Sequence, residues 1–198
     1  MLDRITQEFY ETGISFEDFL KSGTEDEQQR ISLYHRRLVN KFSPDDFRID
    51  LNYPVNLLLI ATTWCWDSIT NVPALVKIAE HSPNVNLKIF NKDHYPFLVE
   101  RINGGEKIPQ VLVFSKDFYY LDRWVERTTM GYQLYSDVRK EYGWDESVSD
   151  DFLKEYRKRF LKNQKKLEEA LLQEIRALLK RTDTIQAATA RHFKKIEE

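Results

Sequence analysis

Apolar positions in the first forty residues recur at three- and four-residue intervals: Phe9, Phe16, Phe19, Leu20, Ile31, Tyr34 and Leu38. That period marks one face of a helix. Ser15 stands three residues before Asp18 and Thr24 three before Glu27, both of capping-box form, so the segment predicts two or three short helices with an apolar face to cover. The pattern then changes. Val55 to Ala61 (VNLLLIA) is a continuous apolar run after Pro54, as expected of a strand buried on both faces and therefore central and parallel. A helical stretch from about Ser68 to Glu80 follows, then Asn84 to Phe90, where Val85, Leu87 and Ile89 alternate as a strand requires. Strand, helix and strand make a right-handed βαβ unit.

Beyond it the chain predicts a short helix near Tyr95 to Arg101, a Gly104-Gly105 turn, and the Ile108-Pro109 step. Gln110 to Ser115 and Phe118 to Val125, separated only by Lys116-Asp117, read as an antiparallel hairpin. Thr129 to Tyr142 is helical again, with Gly143 as its stop. Ser147 or Ser149 caps a last long helix over Asp150 to Arg181. Its apolar positions Leu153, Tyr156, Phe160, Leu167, Leu171 and Leu178 form one stripe, which the domain or a second copy in a homodimer must cover. The expected organisation is a helical extension over residues 1–51, an α/β core over 52–147, and a helical segment over 148–198 that packs on the core or on a partner.

Composition narrows the functional classes. At 198 residues, 41% apolar and 13% aromatic, the chain suits one core with elaborations and not a disordered polymer. A net charge of −2 gives no global attraction to polyanions. The local exception is Lys154, Arg157, Lys158, Arg159, Lys162, Lys165 and Lys166, within a segment (148–198) of 13 basic and 9 acidic residues. An anionic surface or nucleic acid could use that cluster, but a solvated helix face with i,i+4 pairs such as Glu155 with Arg159 is the favoured reading. The start, MLDRITQEFYETG, lacks a basic n-region and an apolar h-region, and no run is long enough to span a bilayer, so a cytoplasmic protein without membrane contact is expected.

One cysteine, Cys65, excludes an intramolecular disulfide and any multi-thiolate zinc site, and His35, His81, His94 and His192 lack metal-ligand spacing, so neither metal nor cofactor is assigned. Cys65 sits where a strand ends and a helix begins. A thiol there faces unpaired N–H donors and the positive end of the helix dipole, both of which favour thiolate. The competing reading is an inert, partly buried core cysteine.

The order of strand, Trp64-Cys65-Trp66-Asp67-Ser68, helix, strand, Ile-Pro step and hairpin resembles the thioredoxin superfamily over about residues 52–142. It looks most like the bacterial group with a W-C-G-D motif, Trp66 standing in place of the usual Gly. The resemblance implies a three-layer α/β/α fold with a mixed four-strand sheet, Cys65 as the attacking thiol, and a cis Pro109 beside it. Trp64, Trp66, Asp67, Ile108 and Pro109 would then line the client site, with the Ile108 backbone pairing to an extended segment. Ser68 occupies the resolving cysteine's position and cannot form a disulfide, and Leu59 replaces the buried acid that aids proton transfer in thioredoxins. Asp67 opposes the helix terminus by its charge, and Trp66 is placed to shade the sulfur. The implied activity is monothiol exchange with client protein thiols or disulfides, or with a low-molecular-weight thiol through a transient mixed disulfide. The alternative is a redox-inactive binding module for protein segments.

Overall fold

The computed structural model describes residues 5–99, 101–102, 105–143 and 149–193. Two units are distinguished: residues up to Glu126 together with those from Ile175 onward, and Arg127–Glu174.

In the first unit the N-terminal segment forms four helices where two or three short ones are expected: α1 (Gln7–Glu11), α2 (Phe16–Lys21), α3 (Glu25–Lys41) and α4 (Pro44–Phe47). Hydroxyl caps start the first three. Thr6 accepts the Phe9 N–H at 3.2 Å and Ser15 that of Asp18 at 3.1 Å, while Thr24 and Glu27 form a reciprocal box. Each cap satisfies a donor that the first helical turn leaves open.

The continuous apolar run becomes β1 (Val55–Ala61), buried along its whole length. It lies parallel to β2 (Val85–Asn91) and antiparallel to β5 (Gln110–Ser115), which pairs antiparallel with β6 (Tyr120–Val125). The sheet order is β2-β1-β5-β6, and the middle of the register sets Leu59 beside both Ile89 and Val111. On one face Leu58 and Ile60 join Phe90, Leu112, Phe114 and Ile108 in a core that also takes Tyr10 from α1. Ile14 pairs with Ile89, tying the N-terminal helices to the β2 edge.

The crossover helix α5 (Trp66–His81) begins two residues earlier than expected, because Cys65 itself takes the N-cap position with extended backbone. The helix predicted near Tyr95 to Arg101 is a single 3-10 turn (Pro96–Leu98), after which β3 (Arg101–Ile102) pairs with β4 (Gly105–Glu106). The Leu98 and Val99 N–H groups bond back three residues, to the Tyr95 and Pro96 carbonyls, and turns of that kind do not extend far. Gly105 therefore belongs to a strand and not to a turn, and Gly104 lies outside the described residues, as does Ser147.

In the second unit α6 (Thr129–Tyr142) has the predicted limits and ends at Gly143, whose φ of +85° suits a residue without Cβ. The long C-terminal helix is two helices, α7 (Asp150–Lys162) capped by Ser149, and α8 (Gln164–Phe193). Asn163 interrupts them: its backbone N–H and its side-chain amide both donate to the Arg159 carbonyl, at 3.1 and 2.9 Å. Asn prefers such local bonds to helix continuation. Of the stripe, Tyr156, Phe160, Leu167 and Leu171 in this unit are buried and Leu153 is half-buried, and Leu178, in the first unit, is buried. Three of the basic residues of α7 pair with acidic neighbours, Lys154 with Asp151, Lys158 with Glu155, and Arg159 with Glu155 and Glu141.

The C-terminal half of α8, in the first unit, is fastened to the chain entering β1. Asp183, buried, accepts the N–H groups of Asn52 and Tyr53 at 2.9 and 3.0 Å and the Asn52 side-chain amide at 2.9 Å. No described helix is long and apolar enough to cross a membrane.

Candidate thiol site

The buried β1 strand delivers Thr62, Thr63 and Trp64 at its C-terminal end, and Cys65 follows as the N-cap of α5. Each of these residues is held by a different part of the first unit. Thr63 donates its hydroxyl to Glu27 at 2.8 Å, and the same carboxylate accepts the Thr24 N–H at 3.0 Å. A Cβ on Gly23 would lie 2.8 Å from that of Thr63, so only glycine lets α3's lead-in approach so closely. The Trp64 indole donates to Asp93 at 2.9 Å while the residue stays 55% exposed. Trp66 turns its ring edge-on to Tyr34 of α3, with centroids 5.9 Å apart. Trp64 is thus the indole presented to solvent, while Trp66 is half-buried against Tyr34.

Cys65 is half-buried, and its Sγ lies 3.7 Å from the Ile108 carbonyl oxygen. The Ile108-Pro109 bond is cis. Residues more than forty positions apart are thereby brought together, since β5 runs antiparallel beside β1 and its first residues meet the strand's last. Ser68 is fully buried and accepts the Thr62 N–H at 3.4 Å; Asp67 is buried as well, and Leu59 contributes only apolar surface.

These surroundings raise the thiol pKa. Burial of the sulfur is the largest cause, and the negative charge of Asp67 adds to it. The Ser68 N–H and hydroxyl and the Asp67 N–H act the other way, as donors to the thiolate. The open helix turn therefore exerts the effect expected of it, but burial and Asp67 outweigh it. The opposition between Asp67 and the helix terminus is the one the sequence posed, and burial decides its sign.

Three participants are not legible as site residues in the sequence. Asp93 holds the Trp64 indole and Glu27 holds Thr63. Glu126, at φ +61°, donates its N–H to the Pro109 carbonyl at 2.7 Å and accepts the Asn71 side-chain amide at 3.0 Å on its own carbonyl. The capping box marks Glu27 as a helix-start residue only, and no local pattern ties any of the three to the thiol, because each acts on the site across a long-range contact. Among the described residues, no group of three or more His, Cys, Asp or Glu side chains is placed to hold a metal ion.

A family model described as Thioredoxin matches residues 13–139. The chain belongs to the thioredoxin family. Its matched span includes α2 and α3 of the helical extension as well as the sheet and α6, so those helices are part of the family's pattern. Among solved structures, a protein of unknown function from Pseudomonas aeruginosa has a TM-score of 0.62 at 21% identity, covering 89% of this chain and 98% of that one. An HIV epitope-scaffold has a TM-score of 0.59 at 23% identity, over 87% of this chain and 96% of that one. Both are likenesses of fold. No curated protein matches the sequence.

Proposed function

We propose that this thioredoxin-family protein works through a single thiol, Cys65, exchanging with disulfides of client proteins or of a low-molecular-weight thiol in the cytoplasm. The observation that carries the reading is the juxtaposition of Cys65 Sγ, half-buried at the open end of α5, with the Ile108 carbonyl 3.7 Å away and the exposed Trp64 ring alongside. Such a site offers a nucleophile, a backbone acceptor for an extended segment, and an aromatic surface. In the step proposed, Cys65 loses its proton to solvent and its thiolate attacks one sulfur of R–S–S–R′. A Cys65–S–S–R bond forms and R′S⁻ leaves. Ser68 has no sulfur to displace R, so a second thiol molecule must attack the mixed disulfide, releasing the Cys65 thiolate and carrying R away as a new disulfide.

A second reading rests on the surroundings of the sulfur: it is half-buried next to the Asp67 carboxylate, burial first and that charge next raise the thiol pKa, and this suits a binding module that has no need of a thiolate. Incubating the native protein with oxidised glutathione and measuring intact mass separates the two. The exchange reading expects one adduct, reversed by dithiothreitol and absent in Cys65→Ser. Modification only after denaturation would overturn it and leave the binding module.

A further inference from the structure

We infer that Asn71 and Glu126 are positioning residues that hold the Ile108 carbonyl against the Cys65 thiol. Four connections close a ring around the site. Cys65 caps α5, and Asn71 lies six residues along the same helix. The Asn71 amide donates to the Glu126 carbonyl at 3.0 Å, and the Glu126 N–H donates to the Pro109 carbonyl at 2.7 Å. Ile108, bonded to Pro109, returns its own carbonyl to Sγ at 3.7 Å.

Glu126 can serve both partners because of its backbone conformation. Its N–H prolongs the β5–β6 ladder one step beyond the Gln110–Val125 pair. In an extended strand residue, N–H and C=O point to the same side; a φ of +61° turns the carbonyl away from that direction, and here Asn71 meets it. Left-handed backbone at a residue with a side chain is unfavourable and persists only where the surroundings fix it. The buried Glu126 is so fixed. The helix that carries the thiol and the loop that carries the carbonyl are thus referenced to one residue, and neither needs to be rigid on its own.

The effect on the thiol follows in sign. A thiol donating its proton to a fixed carbonyl is held in the protonated form, and the packing that keeps the carbonyl close also keeps water off the sulfur. Releasing the brace removes both influences, so Cys65 deprotonates at lower pH. This inference rests on Cys65 being the working thiol, and the test is chosen to read the brace even if it is not.

In Asn71→Ala and in the uncharged, similarly sized Asn71→Leu, the pH titration of the Cys65 ¹³Cβ shift should move to a lower midpoint, and iodoacetamide modification at neutral pH should become several-fold faster. Asn71→Gln, which keeps the amide donor, should restore wild-type behaviour at least in part. Asp67, whose charge bears on the thiol, stays in place in all three. Wild-type titration and modification in folded Ala and Leu variants would overturn the inference. Should those variants fail to fold, hydrogen exchange in the wild type decides: the Glu126 amide should be as protected as those of β5 and β6, and exchange at loop rates would overturn it. The exchange reading fails separately, through the absence of a disulfide adduct, and leaves the Cβ titration interpretable.

Discussion

Replacing Asp183 tests what joins the C-terminal helix to the sheet. Its carboxylate is buried and accepts three hydrogen bonds, two from the backbone N–H groups of Asn52 and Tyr53 and one from the Asn52 side chain. A hydrogen bond to a charged acceptor contributes about 1.5 to 3 kcal/mol, but the three share one group and are not additive. Asn52 is exposed and Tyr53 half-buried, so water can replace part of what is lost. Asp183→Ala should therefore cost about 2 to 4 kcal/mol. With a urea slope of about 2 kcal/mol/M for a chain of this size, that is a drop of about 1 to 2 M in midpoint, followed by tryptophan fluorescence and far-UV circular dichroism. Asp183→Asn is the sharper arm. One oxygen takes both backbone donors on Oδ1, and the Asn52 amide can flip to accept from the new NH₂, so the midpoint should fall by less than about 0.5 M. An Ala midpoint equal to wild type would refute the anchoring argument, and an Asn variant as damaged as Ala would show that charge, not hydrogen-bond geometry, holds the contact.

Because the folded thiol is held above the ordinary value of 9.0, Cys65 alkylation in the native protein should accelerate only above that pH, and Asp67→Asn should move the profile downward; a profile like that of a free peptide thiol would contradict the burial argument. By linkage, this raised pKa contributes stability below the unfolded thiol's pKa that is lost as pH rises through the folded one, so urea midpoints should fall above pH 9 in wild type more than in Cys65→Ser. Ser68→Cys places a second sulfur one helical turn from the first and should close a disulfide on mild oxidation, read as a loss of two hydrogens in intact mass; two persistently free thiols would mean the side chains diverge. Gly13→Ala should destabilise by about 1 to 3 kcal/mol, since its Cβ would lie 2.6 Å from the Phe90 ring and 2.7 Å from the Lys88 Cβ, and a neutral result in urea would show that this contact yields easily.

By itself, the sequence determined the order of elements and the central strand. Periodicity and capping are local, and so Val55–Ala61 and α6 are legible to the residue and the βαβ order and the hairpin in outline, β6 starting at Tyr120 where Phe118 is expected because Phe118 takes a φ of +63° in the turn. The identity of the lone thiol and the absence of a resolving sulfur are likewise fixed by composition. Where two local signals competed, the sequence could not rank them: Asn163 interrupts an otherwise periodic helix, and the helix expected from Tyr95 is a single 3-10 turn followed by a two-strand ladder. The balance at Cys65 was decided by tertiary structure. A helix terminus pulls its pKa down through neighbours in sequence, whereas the desolvation that outweighs it comes from a core assembled by long-range packing. Trp64 is exposed and Trp66 packed for the same reason, since Asp93 and Tyr34 meet them only after the chain has folded. The brace through Asn71 and Glu126 likewise exists only once β5, β6 and α5 converge, because its bonds join residues 55 and 17 positions apart.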